Sequence, residues 1–370
     1  MKQKIVSLCG VIPEHRSGRI CRTCGAPLRG DEPLGSHCLA CLLEAALEDE
    51  KAPITGIDLF DQYRLIRHAD GTSVELGRGA MGVTYKAFDA DLHCPVTLKV
   101  ISEKYVGDES TRLRFLREAR AAASVRHPNV ASVFHLGRTS ESYFYAMEFV
   151  EGETLENFIK RSGCLEVETA LEITTQVTAG LAAVHKQKLV HRDIKPSNIM
   201  VSMEDGGAVT AKIIDLGLAK AINEPSSQTA ISILGGFCGT PEFASPEQFA
   251  GVGVDIRADL YSLGVTLWEM VTGGALFRGS PAELMYQHQH APVPLEQLES
   301  VPQPVVVLLE VLLEKDPKRR FQTPAELLKA IPTINRGYSG RPSSHASELT
   351  RGVEWRFLRR TSQAASKTGP

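Results

Sequence analysis

A chain of 370 residues has room for about two or three domains of roughly 100–200 residues each. Its 43% hydrophobic and 23% charged residues suit a globular protein in water, and a net charge of −3 argues against a nucleic-acid partner, which would call for a basic excess. No window reaches the ~18 uninterrupted apolar residues of a membrane span; the best stretch, Val305 to Leu313, is short and contains Glu310.

Met1 to Gly10 has a short apolar core but no small-residue cleavage site, so no signal peptide is expected and the cytoplasm is the default location. Five of the eight cysteines fall in residues 1–50, four of them as Cys21-x-x-Cys24 and Cys38-x-x-Cys41. Gly25 and Pro27 follow the first pair, while Gly35 and Ser36 precede the second. Each pair thus sits in a tight turn that can aim two sulfurs at one ion, and four thiolates in a tetrahedron favour zinc. Two disulfides or unrelated buried thiols are the alternative, less suited to a chain without a secretory signal. Cys9 or His37 could also replace one of the four ligands. With no acid/base cluster around the pairs, the zinc would be structural. Residues 1–50 therefore read as a zinc-ribbon-like segment ending in a short helix from Leu39 to Glu50, and 51–62 as a linker.

Residues 61 to about 150 alternate in the manner of β-strands, with one helix inserted. The spacing Gly77-x-Gly79-x-x-Gly82 also occurs in dinucleotide folds, where a helix follows. Here the β-branched and aromatic run Val83 to Phe88 follows instead, so the glycines belong to a hairpin. Pro95 opens a strand over Val96 to Val100 that puts Val96, Leu98 and Val100 on one face and Thr97 and Lys99 on the other. A solvated surface residue is the plain alternative for Lys99. Thr111 to Ser124, which includes Glu118, is helical, and Tyr145 to Val150 is a further strand.

From Gly152 the pattern turns helical. The apolar-periodic helix Ala170 to Lys186 leads into His191-Arg192-Asp193-Ile194-Lys195-Pro196-Ser197-Asn198. A carboxylate, a cation two residues on and an amide five residues on make this a dense polar loop between apolar runs, the usual setting of a site. Beyond it lie Lys212 to Ala219 around Asp215, then a polar run with Ser226, Ser227, Thr229, Ser232 and Cys238. Gly239-Thr240-Pro241-Glu242 and Ser245-Pro246-Glu247 follow. A helix from Asp259 through Val271 is apolar nearly all round and must be buried. Asp316-Pro317-Lys318-Arg319-Arg320 closes this region. Residues 332–370 read as a basic, disordered tail carrying a Trp355 to Arg360 cluster.

Taken in order, these stretches resemble the protein kinase family, and Lys195 two residues after Asp193 resembles its Ser/Thr branch. The appended cysteine segment and the Gly79-Ala80-Met81-Gly82 loop are similar to bacterial members. The resemblance implies an α+β, bilobal fold over 63–331, with a β-rich small lobe at 63–150 and a helical large lobe at 151–331. It implies that Gly77, Gly79 and Gly82 let amides approach ATP phosphates, and that Lys99, paired with Glu118, orients them. Met147 would guard a back pocket, Glu148 and Val150 would offer backbone groups to adenine, and Met200 would line the nucleotide. Thr84 and Thr97 stand where the family has Val and Ala, which implies weaker nucleotide affinity, since Val to Thr is not a neutral swap. Leu216 replaces the usual Phe after Asp215, and Ser245 the usual Ala.

By the same resemblance Asp193 would accept the proton of the substrate hydroxyl and Lys195 would offset phosphoryl charge. Asn198 and Asp215 would hold Mg²⁺, with Mn²⁺ as a substitute. Asp259 would hold the catalytic-loop backbone, and Arg320 would pair with Glu247. Ser226, Ser227, Thr229 and Ser232 are candidate phosphorylation sites whose charge Arg192 could receive. The implied activity is phosphate transfer from ATP to Ser/Thr hydroxyls of proteins, including the chain's own loop through transient self-association. The competing reading is a pseudokinase scaffold that binds nucleotide weakly and docks partners.

Overall fold

The computed structural model describes residues 59–79, 82–102, 109–139, 142–203, 207–216, 240–251 and 253–339. The two Cys-x-x-Cys pairs, the Leu39 to Glu50 helix, the four candidate phosphorylation sites and the Trp355 to Arg360 cluster lie outside the described residues.

The small lobe is an antiparallel sheet of β1 (Leu59–Phe60), β2 (Tyr63–Leu65), β3 (Glu75–Gly79), β4 (Gly82–Asp89), β5 (Cys94–Ser102), β6 (Val133–Arg138) and β7 (Ser142–Glu148). Its order is β1-β2-β4-β5-β7-β6, with β3 also on β4. The sheet begins inside the stretch expected as a linker, because Phe60 packs edge-on to Phe144 at 5.4 Å and anchors β1. Alternation along β4, β5 and β7 sorts side chains between two faces. Ala87, Val96, Leu98, Phe144 and Ala146 bury themselves with Tyr63 on one face. Directly opposed pairs place Thr84 beside Lys99, Lys86 beside Thr97, Thr97 beside Met147 and Lys99 beside Tyr145 on the other. Gly82 is required by packing: a Cβ there would come within 1.9 Å of the Val100 carbonyl oxygen on β5. A Cβ on Gly77 or Gly79 would meet nothing within 4 Å, so those two border open space.

Helix α1 (Glu109–Ser124) covers the second face of the sheet through Phe115, Ala119 and Ala122, all buried. The turn after it fastens the small lobe to the large one. Asn129 Nδ2 donates to the Gln176 side chain at 3.0 Å and the Ala211 carbonyl at 2.8 Å. The Ala131 amide donates to the Ile213 carbonyl at 2.8 Å, and the Ile213 amide to the Asn129 carbonyl at 2.9 Å.

The large lobe comprises β8 (Glu153–Thr154), α2 (Leu155–Ser162), α3 (Val167–Lys186), the hairpin β9 (Ile199–Met203) and β10 (Val209–Ile213), α4 (Pro246–Ala250), α5 (Ile256–Thr272), α6 (Pro281–His290), α7 (Gln303–Leu312) and α8 (Pro324–Ser339). Helix α5 starts where the Asp255 carboxylate accepts the Arg257 amide, and stops at Gly273 in the left-handed conformation (φ 69°). Between these caps nearly every residue is buried, Trp268 and Tyr261 included, as an all-apolar helix requires. Helix α8 packs on α3 and runs to Ser339, past the expected start of the tail at 332. Pro332 removes one helical donor, but Ile331 is buried and Ile334 packs against the same core, which carries the helix on. No helix among the described residues is long and apolar enough to cross a membrane.

Candidate active site

Helix α3 ends in a turn at Gln187 and Lys188, the latter left-handed (φ 57°), and the chain then enters the polar loop without regular structure. Asp259, fully buried near the start of α5, accepts the His191 amide at 2.8 Å and the Arg192 amide at 2.7 Å. Aiming two successive amides at one carboxylate helps hold Arg192 in the left-handed region (φ 65°), a conformation that costs about 1–3 kcal/mol for a non-glycine residue. Gln248 of α4 steadies the same turn by donating to the Arg192 carbonyl at 3.1 Å.

This scaffold presents Asp193. Asn198 Nδ2 donates to its carboxylate at 3.0 Å and to its backbone carbonyl at 2.8 Å. Lys195 Nζ lies 3.2 Å from the same carboxylate and donates to Thr240 Oγ1 at 2.5 Å. Thr240 Oγ1 stands 3.5 Å from the other Asp193 oxygen. A carboxylate, an ammonium and a hydroxyl thus meet in a half-buried niche, where charges interact more strongly than in water. Such a niche can accept a proton from one oxygen and neutralise charge developing on its neighbour.

Strand register brings the second cluster together. Asp215 lies two residues beyond β10, left-handed (φ 59°), with its carboxylate ion-paired to Lys99 and 3.4 Å from the Tyr145 hydroxyl. Burial disfavours the charged form of Lys99, but Asp215 outweighs it and holds the ammonium above the ordinary lysine range. Burial likewise opposes ionisation of Asp215, and Lys99 overcomes it to hold that carboxyl below its usual value. Lys99 therefore pairs with Asp215, where the resemblance implied Glu118; Glu118 stands half-buried on α1.

Pairing of Ile213 with Ile199, and the Ile214 amide bonded to the Asn198 carbonyl at 2.9 Å, set Asn198 and Asp215 at one end of the β9–β10 hairpin. With its amide nitrogen given to Asp193, Asn198 keeps a carbonyl oxygen for a ligand. That oxygen and the Asp215 carboxylate are hard donors, and this set fits magnesium.

The strip between the lobes carries the remaining expected residues. Glu148 ends β7, with its carboxylate ion-paired to Lys212 and accepting the Ser132 amide at 3.1 Å. Phe149 and Val150 follow it out of the sheet, and the Lys86 ammonium lies 4.2 Å from the centre of the Phe149 ring. Met200 is directly opposite Lys212 in the β9–β10 ladder, so it shares the side on which Lys212 reaches Glu148. Thr84 and Thr97 are half-buried, and Met147 is buried. The open space at Gly77 and Gly79, this strip and the Asn198–Asp215 oxygens together fit a nucleoside triphosphate with its cation.

Sequence reasoning overlooked Tyr145, Lys212 and Gln248 and gave Thr240 no role. All four depend on contacts across the fold: Tyr145 and Lys212 through strand register, Gln248 and Thr240 through bonds to the polar loop.

A family model described as the protein kinase domain matches residues 72–330. A probable serine/threonine-protein kinase of Clostridium acetobutylicum is 35% identical over 267 residues, 71% of this chain and 39% of that protein. The serine/threonine-protein kinase PknB of Mycobacterium leprae is 36% identical over 284 residues, 74% of this chain and 44% of PknB. The chain thus aligns with about two fifths of the length of these relatives. Among solved structures, the Mycobacterium tuberculosis PknI kinase domain superposes with a TM-score of 0.58 at 26% identity, covering 76% of this chain and all of that one.

Proposed function

This chain belongs to the protein kinase family, and from that premise we propose that it transfers the γ-phosphate of ATP to serine and threonine hydroxyls of proteins, its own loop among them. The observation that carries the reading is the convergence on Asp193 of Asn198, Lys195 and Thr240, next to the Lys99–Asp215 pair. Asp193 orients the acceptor hydroxyl and takes its proton. Lys195 lies where charge on the transferring group is offset, and Lys99 turns from Asp215 to the phosphates. Asn198 and Asp215 would hold magnesium, which would supply neutralisation of phosphate charge. Glu148 and Val150 meet the adenine through backbone groups, beside Met147, Met200, Thr84 and Thr97. A scaffold without catalysis finds no favouring observation, because each group the transfer needs is present.

The test is incubation with ATP and Mg²⁺ followed by mapping of phosphosites. Label within Ser226 to Thr240 supports the proposal, and a labelling rate per chain that rises with chain concentration supports transfer in trans through transient self-association. No label from a chain that still binds nucleotide hands the function to the scaffold reading.

Two finer parts of the reading have tests of their own. Thr97→Ala should tighten ATP binding by about 1 kcal/mol, roughly fivefold, by removing a hydroxyl from the adenine wall. A titration that shows equal or weaker binding disposes of that idea. The zinc site rests on spacing alone: Cys21, Cys24, Cys38 and Cys41 should hold about one zinc per chain. Metal analysis of the purified chain finding none would remove it. A cytoplasmic setting agrees with reduced thiols that bind metal.

A further inference from the structure

Strand β7 is apolar through its middle, where Phe144, Tyr145, Ala146 and Met147 are all buried. A phenylalanine at 145 would fill the same core, so packing alone does not account for the hydroxyl. Tyr145 is fully buried, and a hydroxyl in such a place is costly unless it finds an acceptor. Its acceptor is the carboxylate of Asp215, 70 residues further along the chain.

Strand register makes this meeting specific. Tyr145 stands directly opposite Lys99 on β5, so phenol and ammonium leave the same face of the sheet side by side. They divide the carboxylate between them. Lys99 is ion-paired to Oδ2, whereas the Tyr145 hydroxyl stands 3.4 Å from Oδ1. That contact is long beside the ion pair, and hydrogen bonds at a site without its ligands commonly tighten when they bind. The backbone beneath is fixed: Ile213 pairs with Ile199, the Ile214 amide bonds to the Asn198 carbonyl, and Leu216 is buried. What can change is the carboxylate and the donors that face it.

When Lys99 turns to the phosphates, Oδ2 loses its donor and Oδ1 keeps one. A phenol at neutral pH can only donate to a carboxylate, and this one stays in place because its ring is held in the core. We propose that Tyr145 is a positioning residue for Asp215: its hydroxyl holds Oδ1, so that Oδ2, released by Lys99, is presented to magnesium. Outer partners of this kind orient a ligating carboxylate and tune what it binds. This role rests on the kinase reading in its assignment of Lys99 and Asp215, and adds to it the group that keeps the carboxylate turned to the cation.

The test is titration of the full chain with ADP, with Mg²⁺ present and with it removed by a chelator. Tyr145→Phe keeps the ring and takes away the hydroxyl alone. It should lose about tenfold of the magnesium-dependent tightening of ADP, while ADP affinity without the metal stays within about twofold of wild type. In transfer assays the Mg²⁺ requirement should rise by a similar factor, and kcat should return to near the wild-type value at saturating Mg²⁺. Tyr145→Met, which fills the space without ring or hydroxyl, should match Tyr145→Phe and gives the reading if that variant does not fold. Tightening equal to wild type would overturn the proposal. So would an equal loss with and without the metal, the mark of general damage to the site. A wild type whose ADP binding ignores Mg²⁺ would take the metal from Asp215, and this inference with it. A wild type that shows the tightening but transfers no phosphate would bring down the kinase reading alone, because the titration needs no transfer.

Discussion

Asp193→Asn should cut phosphate transfer to the chain's own residues by about a thousandfold while nucleotide binding persists. Asparagine has nearly the shape of aspartate, and its side-chain carbonyl can still accept the Asn198 amide that now reaches the carboxylate at 3.0 Å. The change removes the base, and it removes the negative charge that Lys195 meets at 3.2 Å. Proton acceptance by a positioned side chain is worth about 10²–10⁴ in rate, and the added loss of charge organisation puts the expectation in the upper half of that range. Initial rates of radiolabel incorporation, beside a nucleotide titration of the same preparation, decide the matter. A variant labelling itself within tenfold of wild type would take the role of base away from Asp193.

Glu247→Ala should destabilise the described domain by about 3–5 kcal/mol, the cost of leaving a buried charge without its partner. Arg320 has a fully buried side chain, and its guanidinium meets Glu247 through two parallel bonds of 2.7 and 2.9 Å. Its other donors go to the carbonyls of Glu314, Arg257 and Lys315 at 2.7, 3.0 and 3.1 Å. Every donor is therefore committed in one direction, and without the carboxylate the charge is left to backbone dipoles and the face of the Tyr261 ring. Such a loss is a large part of the roughly 5–15 kcal/mol that holds a domain together. Because Gln248 on the same short helix steadies the Arg192 carbonyl, catalysis should fall with stability. Chemical denaturation shows the effect directly. A change below about 1 kcal/mol would mean that water replaces the lost carboxylate.

The polar loop around Asp193 was legible because its chemistry is contiguous: base, cation and amide fall within six residues, and short contacts reproduce that order in space. The anchoring of this loop by Asp259 and the Arg320–Glu247 pair could be expected through the family resemblance, and both are present. The partner of Lys99 was not legible. It lies 116 residues away, beyond any local pattern that could link the two. Tyr145 was hidden for a related reason. An aromatic residue in an apolar strand looks like core, and only the β5–β7 register reveals that it faces Lys99. The boundaries moved where tertiary packing outweighed local composition, as at Phe60 against Phe144 and at Pro332 inside α8. The paired cysteines belong to residues that the structure does not describe.

Strand β10 has a further consequence. The turn at Asn129 to Ala131 is fastened to Ala211 and Ile213, and Glu148 reaches Lys212 between them. These tethers of the small lobe therefore end on three successive residues of one short strand, with the Asn129–Gln176 bond and the Lys99–Asp215 pair close by. A body held mainly near such a line can rock about it, with β10 as the axle. Asp215, two residues past the end of that axle, travels least, whereas the hairpin tip at Gly77 and Gly79 swings through the widest arc. The lobes can then gape to exchange nucleotide at the glycine end, while the Asp215 carboxylate keeps its place beside the loop that carries Asp193.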